Sequence, residues 1–416
     1  MDRTSALPDD RSPSSDARAF LLVAAAVLLI ALNLRIPTTA LGPLLPEIRA
    51  DLDSGETFLS LLTTIPLALT LVVAPFVPQL ATRFGMNRII GWALVGIVGG
   101  TLSSSIDTTV TMLAGTLILG IAIAIGTVLG PAAIASQRAQ RRGPLTGVYT
   151  MALSLGPAMA LGLTIPMMRI TGFDWRQTLA LWSAVGIVAL ALWAGYTRSL
   201  NSTTTAALSS GLSVAPVAGE KTGLRGAITD PRVWALAFYL GVTSLTFYTV
   251  SAWLPTTFIM DGVSAGAAGG YTSLVNIVSL PFAFLVPVAL RKGWGPVLAP
   301  LAPLPAVVGI TVYLTAGSTS ALWVALLLGL AQGMCLGVSY DQIVQYARSP
   351  EHASTVSALT STVGVAIGSI GPLFYGFGLE STGAYILPMT GLALLILIQA
   401  TTGLRTSRFS RPAGEQ

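Results

Sequence analysis

Charge is what this sequence has least of. Asp, Glu, Lys and Arg together make up 9% of its 416 residues, where a soluble domain carries about 25%. So few charges cannot coat a water-facing surface, which excludes a soluble globular fold. Cysteine and histidine are scarcer still, with Cys335 and His352 the single examples. One thiol excludes a disulfide framework, and one of each cannot build a zinc site. The sequence has no nucleophile elbow, no His-Glu-x-x-His and no phosphate-cradling Gly-x-x-x-x-Gly-Lys-[Ser/Thr]. Their absence argues against a hydrolase, a metalloprotease and an ATP-driven pump. The expectation is a protein that is not an enzyme and takes no metal or cofactor.

What is present is apolar. Hydrophobic residues reach 53% and the mean hydropathy is +0.76, the composition of an integral membrane protein. The charges rule off the spans. Between Glu56 and Arg83 lie 26 uncharged residues, and comparable gaps run from Arg88 to Asp107, Asp107 to Arg138, Arg142 to Arg169, Arg176 to Arg198, Arg232 to Asp261 and Asp261 to Arg291. The 48-residue gap from Lys292 to Asp341 is too long for one crossing, and "TAGSTS" at 315–320 divides it. Two further spans fall at about 352–379 and 381–404. With a retained first helix from Phe20, the count is twelve, each near the roughly 20 residues a helix needs to cross hydrocarbon. The ten-residue, period-two segments of a membrane barrel do not occur.

Lysine and arginine orient the spans. With the N-terminus inside, 18 of the 22 fall on cytoplasmic segments, three on external loops, and Arg35 within the first span. The expectation is a multi-pass cell-membrane protein with both termini cytoplasmic. Its net charge of +5 faces lipid, not nucleic acid. Residues 198–231, "RSLNSTTTAALSSGLSVAPVAGEKTGLRGAITDP", are small and polar without apolar periodicity, and read as a cytoplasmic linker. They separate six-helix halves at 19–197 and 232–404, flanked by tails at 1–18 and 405–416. Shifted by 209 residues, Leu45-Pro46 falls on Leu254-Pro255, Thr63-Thr64 on Thr272-Ser273 and Val77-Pro78 on Val286-Pro287. A duplicated unit is how rocker-type secondary transporters are built, with a midplane site between the halves.

Several stretches also look familiar: "NLR" (33–35), "GPLLPEIRADL" (42–52), "LLTTIP" (61–66), "APFVPQLATRFG" (74–85), "GTVLGPAAI" (126–134), "TGVYTMALSLG" (146–156), "DWRQTLALW" (174–182) and "VGVAIGSIGPL" (363–373). In these the chain resembles the cyanate and 2-nitroimidazole permease family of the major facilitator superfamily. The resemblance implies an all-α fold of twelve transmembrane helices in two pseudo-symmetric halves, and transport by alternating access. The superfamily's loop between helices 2 and 3 reads Gly-x-x-x-Asp-Arg-x-Gly-x-Arg-Arg. Here "PQLATRFGMNR" (78–88) keeps Arg83, Gly85 and Arg88 as a gating loop but replaces the glycine and aspartate by Pro78 and Thr82. Thr127 stands where relatives suggest asparagine.

A charge at mid-span costs roughly 2.5–3.5 kcal/mol on insertion scales, so Arg35 needs a reason. It either snorkels outward or ties to a neighbouring helix carbonyl, such as that of Asn33, which Pro37 leaves without a donor, or it faces the central cavity and receives an anionic or strongly dipolar substrate. Its planar fork suits a small planar anion. Asn33, about 200° around the helix, is a supporting candidate. Counting helical rise puts Thr63, Thr64, Tyr248, Asn276 and Gln332 at the same level, and Thr127, Tyr149, Thr150 and Asp341 in a layer nearer the cytoplasm. Each threonine competes with back-bonding to its own helix. Asp341 is the one acid well inside a span. It either pairs with Arg348 on its own helix face or carries a proton. His352 reads as a solvated helix-end residue. Gly96/Gly100 and Gly364/Gly368 have the spacing of close helix packing. The expected partners are a small-molecule substrate, open to proton coupling, and the bilayer, for a monomer. Small-anion or polar-solute transport, drug or nitroaromatic export, and a non-transporting receptor remain as functional alternatives.

Overall fold

The computed structural model describes residues 13–106, 108–135, 139–201, 226–346 and 350–407. Among them there is no strand. The first span is built of three pieces, α1 (Pro13–Asn33), α2 (Ile36–Thr39) and α3 (Leu41–Leu52). The second comprises α4 (Glu56–Val73) and α5 (Val77–Phe84), and then come α6 (Met86–Ser103), α7 (Thr109–Ala135), α8 (Ala139–Thr171) and α9 (Trp175–Asn201). After the 202–225 segment, which lies outside the described residues, follow α10 (Pro231–Met260), α11 (Ala265–Ala289), α12 (Gly295–Leu301) with α13 (Leu304–Ala316), α14 (Ala321–Tyr346), α15 (Pro350–Thr382) and α16 (Ile386–Thr406). Taking α1–α3, α4–α5 and α12–α13 as single crossings gives twelve. The 52-residue apolar stretch Lys292–Ile343 is divided by a 3-10 turn at Gly317–Ser320, inside the "TAGSTS" that the spacing marks. Helix α9 runs four residues into the expected linker, and residues 226–229 are helical at its other end.

Because the spans alternate in direction, the bundle has two ends. The linker end carries the start of α1, the α5–α6 turn and the end of α16. The distal end carries the α3–α4, α8–α9, α10–α11 and α15–α16 connections. Toward the distal end the halves are packed together. On α3, a side chain at Gly42 would meet the Ser251 carbonyl of α10 at 2.5 Å. On α15, a side chain at Gly376 would sit 1.8 Å from the Ser60 hydroxyl of α4. Ser273 of α11 donates to the Ala158 carbonyl of α8 at 2.7 Å. One continuous apolar core joins the halves there, from Leu44, Ile48 and Leu62 to Trp253 and Tyr375. At the linker end the clusters stay within one half: Ile89, Leu94 and Trp193 in the first, Tyr239, Val286 and Cys335 in the second. The interface is therefore closed distally, and its core splits toward the linker end.

Candidate functional site

The break in the first span presents the arginine. Pro37 has no N–H to give to the Asn33 carbonyl, and the helix stops at that residue. Leu34 and Arg35 form a turn, with Arg35 at φ −120°, ψ −40° and its N–H tightened onto Leu32 O at 3.1 Å. The helix restarts at Ile36. Gly156 on α8 lies against this corner. A side-chain carbon there would stand 3.3 Å from Arg35 Cβ and 3.4 Å from the Leu32 carbonyl, so glycine lets the corner pack close against α8.

From this turn the guanidinium reaches across to the other half. Its Nη1 donates to Tyr248 Oη at 3.0 Å, and Cζ lies 5.8 Å from the Phe247 ring centre and 5.7 Å from that of Tyr248. Among the described residues no carboxylate pairs with Arg35. Its partners are a phenol and two aromatic faces. Phe247 and Tyr248 meet edge to face at 5.2 Å. Gly368 of α15 makes space for the Tyr248 ring, which would come within 3.1 Å of an added carbon.

Arg35 and Tyr248 line a cavity of about 110 Å³ between the halves. An engineered cavity of 150 Å³ accommodates benzene, so the volume suits a solute of a few heavy atoms. Thr38, Thr63, Thr70 and Thr127 also line it. Each gives its hydroxyl proton to a carbonyl of its own helix: Thr38 to Arg35 at 3.1 Å, Thr63 to Ser60 and Thr70 to Pro66 at 2.9 Å, Thr127 to Ile123 at 2.8 Å. Back-bonding turns these side chains into acceptors on the cavity side. Donation falls to the guanidinium, the Tyr248 hydroxyl and the lining hydroxyls of Thr39 and Ser251. Val365 and Pro372 of α15 complete the wall from the second half.

Other expected residues are elsewhere. Asn33 is buried and faces α9. Its amide donates to Leu29 O at 2.8 Å, and its Oδ1 lies against Gly186. The turn after it sends its neighbour Arg35 to the opposite side. Thr64 is buried beside the cavity-lining Thr63, with no hydrogen-bond partner. Asn276 is buried and back-bonds to Thr272 O at 3.4 Å. Gln332 lies inside the second half, 3.5 Å from Thr243 O, in a small void shared with Gln399 and Cys335. Tyr149 is buried against Gly130. Asn33, Asn276 and Gln332 thus spend their amides away from the cavity lining, a direction that a rise-per-residue count does not carry.

Asp341 is half-buried at the linker end, where Gln345 Nε2 donates to its Oδ2. Arg348 and the side chains of Thr150 and His352 lie outside the described residues. In the α5–α6 turn, Gly85 has φ +87°, a conformation costly for other residues, which lets α6 begin directly after α5. Arg83 lies over Phe84 at 5.3 Å and Arg88 is exposed. In place of an aspartate-based ion pair, Trp193 of α9 holds this turn by donating to Asn87 O at 2.9 Å. The counting missed Phe247 and Thr38. The signal for the first was its adjacency to Tyr248, and for the second its place in the "PTT" that follows Arg35.

The family described as the Major Facilitator Superfamily matches residues 22–372. The 2-nitroimidazole transporter of Escherichia coli (strain K12) is 28% identical over 407 residues, covering 95% of this chain and 98% of that one. The cyanate transport protein of the same organism is 28% identical over 381 residues, covering 89% and 93%. Among solved structures, a bacterial homologue of the human lysosomal transporter Spinster, in an inward-facing and unoccupied conformation, superposes with a TM-score of 0.77. It is 18% identical, covering 97% of this chain and all of that one, a likeness of fold alone.

Proposed function

The chain belongs to the Major Facilitator Superfamily, and from that premise we propose that it carries a small anionic or polar molecule across the cell membrane by alternating access, its two six-helix halves rocking about Arg35. One observation carries the reading. A permanent charge faces an inter-half cavity with aromatic and hydroxyl partners and, among the described residues, no carboxylate. A desolvated guanidinium gains most from a counter-ion, and the cavity of about 110 Å³ beside it fits a small solute. The 18-to-3 division of basic residues supports a cytoplasmic linker end, so the closed distal end faces outward. Export of a nitroaromatic is the second reading. The Phe247 ring beside Arg35 favours it by offering a stacking face for a flat ring, as does the relative named for 2-nitroimidazole.

Exchange in proteoliposomes tests the site. Arg35→Ala should weaken small-anion exchange by about ten- to a hundredfold, the worth of a charge-assisted hydrogen bond. Arg35→Lys, which keeps the charge without the fork, should fall between that variant and the parent. Unchanged anion affinity in Arg35→Ala overturns the assignment. Anion-independent exchange of a neutral nitroaromatic favours the second reading.

A further inference from the structure

A second cavity, of about 150 Å³, lies on the distal side of the first and again between the halves. Its walls are Leu45, Pro46, Arg49, Glu56 and Leu59 from α3 and α4, and Thr256, Ile259 and Met260 from α10. Along α4, Thr63 of the inner cavity and Glu56 of the outer one are seven residues apart, about 10 Å. The two voids thus stack along the seam that must part when the transporter opens distally.

The outer cavity is polar in a specific way. Glu56 is 3% exposed. Its Oε1 meets Arg49 Nη1 at 2.5 Å, but its Oε2 is buried without a partner. Thr256, 6% exposed, has a hydroxyl that is also buried without a partner. Leaving a buried donor or acceptor unsatisfied costs about 1–3 kcal/mol, and both atoms belong to residues that line the cavity but are themselves closed to water, so a solute reaches them only as the seam loosens. The Arg49 side chain is 56% exposed and Met260 46%, so the cavity communicates with the distal surface.

We propose that this cavity is an outer binding station on the transport path, for a small anion or polar solute that carries an O–H or N–H donor next to its acceptor group. The acceptor end meets Arg49, the donor satisfies Glu56 Oε2, and Thr256 serves either. The station adds to the reading of Arg35 a requirement that the inner cavity does not impose. The inner threonines offer acceptors to any donor, whereas the outer site leaves a carboxylate oxygen unsatisfied unless the solute donates. The transport role of the station rests on the inner-site reading, but its occupancy does not.

Glycolate and propionate separate the requirement, since they differ by a hydroxyl in place of a methyl. In a Cys335→Ser background, Met260→Cys places one thiol on the station's wall, to be alkylated from the distal side by a membrane-impermeant reagent. Glycolate should slow the alkylation by about fivefold, the factor for one hydrogen bond of about 1 kcal/mol, and propionate should not. Thr256→Val and Glu56→Gln should each remove the protection, and Arg35→Ala should keep it. Equal protection by both anions removes the donor requirement, protection by neither leaves only a water-filled crevice, and either result overturns the station. Protection lost in Arg35→Ala also overturns it, because the anion then acts from the inner cavity. A failed inner site appears instead as normal anion exchange in Arg35→Ala.

Discussion

At the scale of single residues, the useful contrast is between side chains that agree in depth and differ in direction. Arg35, Tyr248 and Thr63 were legible in the sequence as residues of one level. A charge inside an apolar run is conspicuous, and counting rise along each helix sets its level. Asn33 and Asn276 were counted to a similar depth, yet each amide is bonded back to its own helix. Direction depends on the break at Leu34–Arg35 and on neighbours distant in sequence, which a count along one helix cannot supply. Asp341 shows the same limit. Its position inside a span was plain, but its bond from Gln345 belongs to rotamers. Asp341→Asn is the test of a proton role. If the carboxylate carries a proton, accumulation driven by a pH gradient is lost while substrate counterflow, which needs no net proton movement, continues. Full pH-driven uptake in the variant assigns Asp341 to helix packing.

At the scale of elements, proline and glycine act as a pair. Pro37 frees a carbonyl and stops α1, and Gly156 of α8 gives the resulting corner a place to sit. The proline's effect was legible, because the missing N–H is written in the residue type. The glycine's was not, because its partner lies on another span. Gly376 works at the distal seam, where α15 crosses α4. An added carbon would stand 1.8 Å from Ser60 Oγ and 2.8 Å from the Trp253 ring. Both are held, the hydroxyl by Glu56 O at 2.9 Å and the indole N–H by Pro372 O at 3.0 Å. Gly376→Ala should therefore pry the distal ends apart. With a cysteine at Met260 as reporter, the expected outcome is faster distal alkylation, by about tenfold for overpacking of 1–2 kcal/mol. An unchanged rate would mean that the helices absorb the methyl locally.

At the scale of the molecule, the twelve crossings were legible because the bilayer imposes their length and the charges punctuate them. Which ends of the halves meet was not, since that rests on contacts between spans far apart in the chain. The main polar example is Glu380 on α15. Its carboxylate accepts from the Thr57 N–H at 2.8 Å and from the Thr57 hydroxyl, so a residue of one half caps the first turn of a helix in the other. A negative charge at a helix N-terminus is favourable, and a lost cap costs about 0.5–2 kcal/mol. Glu380→Gln should shift the population toward the distally open state by about two- to thirtyfold. The shift can be read as an increase in the distance between spin labels on the distal ends of α3 and α15. No change in that distance would make the cap a matter of α4 stability alone.

The same cap has a consequence in time. Thr57 and Glu380 are separated by 323 residues, and a ribosome adding roughly 5–20 residues per second needs tens of seconds to cover them. Through that interval the first turn of α4 stands at the membrane surface with its N–H groups given to water. The distal seal of the finished transporter is thus among the last contacts its synthesis can make, and a nascent first half is born open on that side.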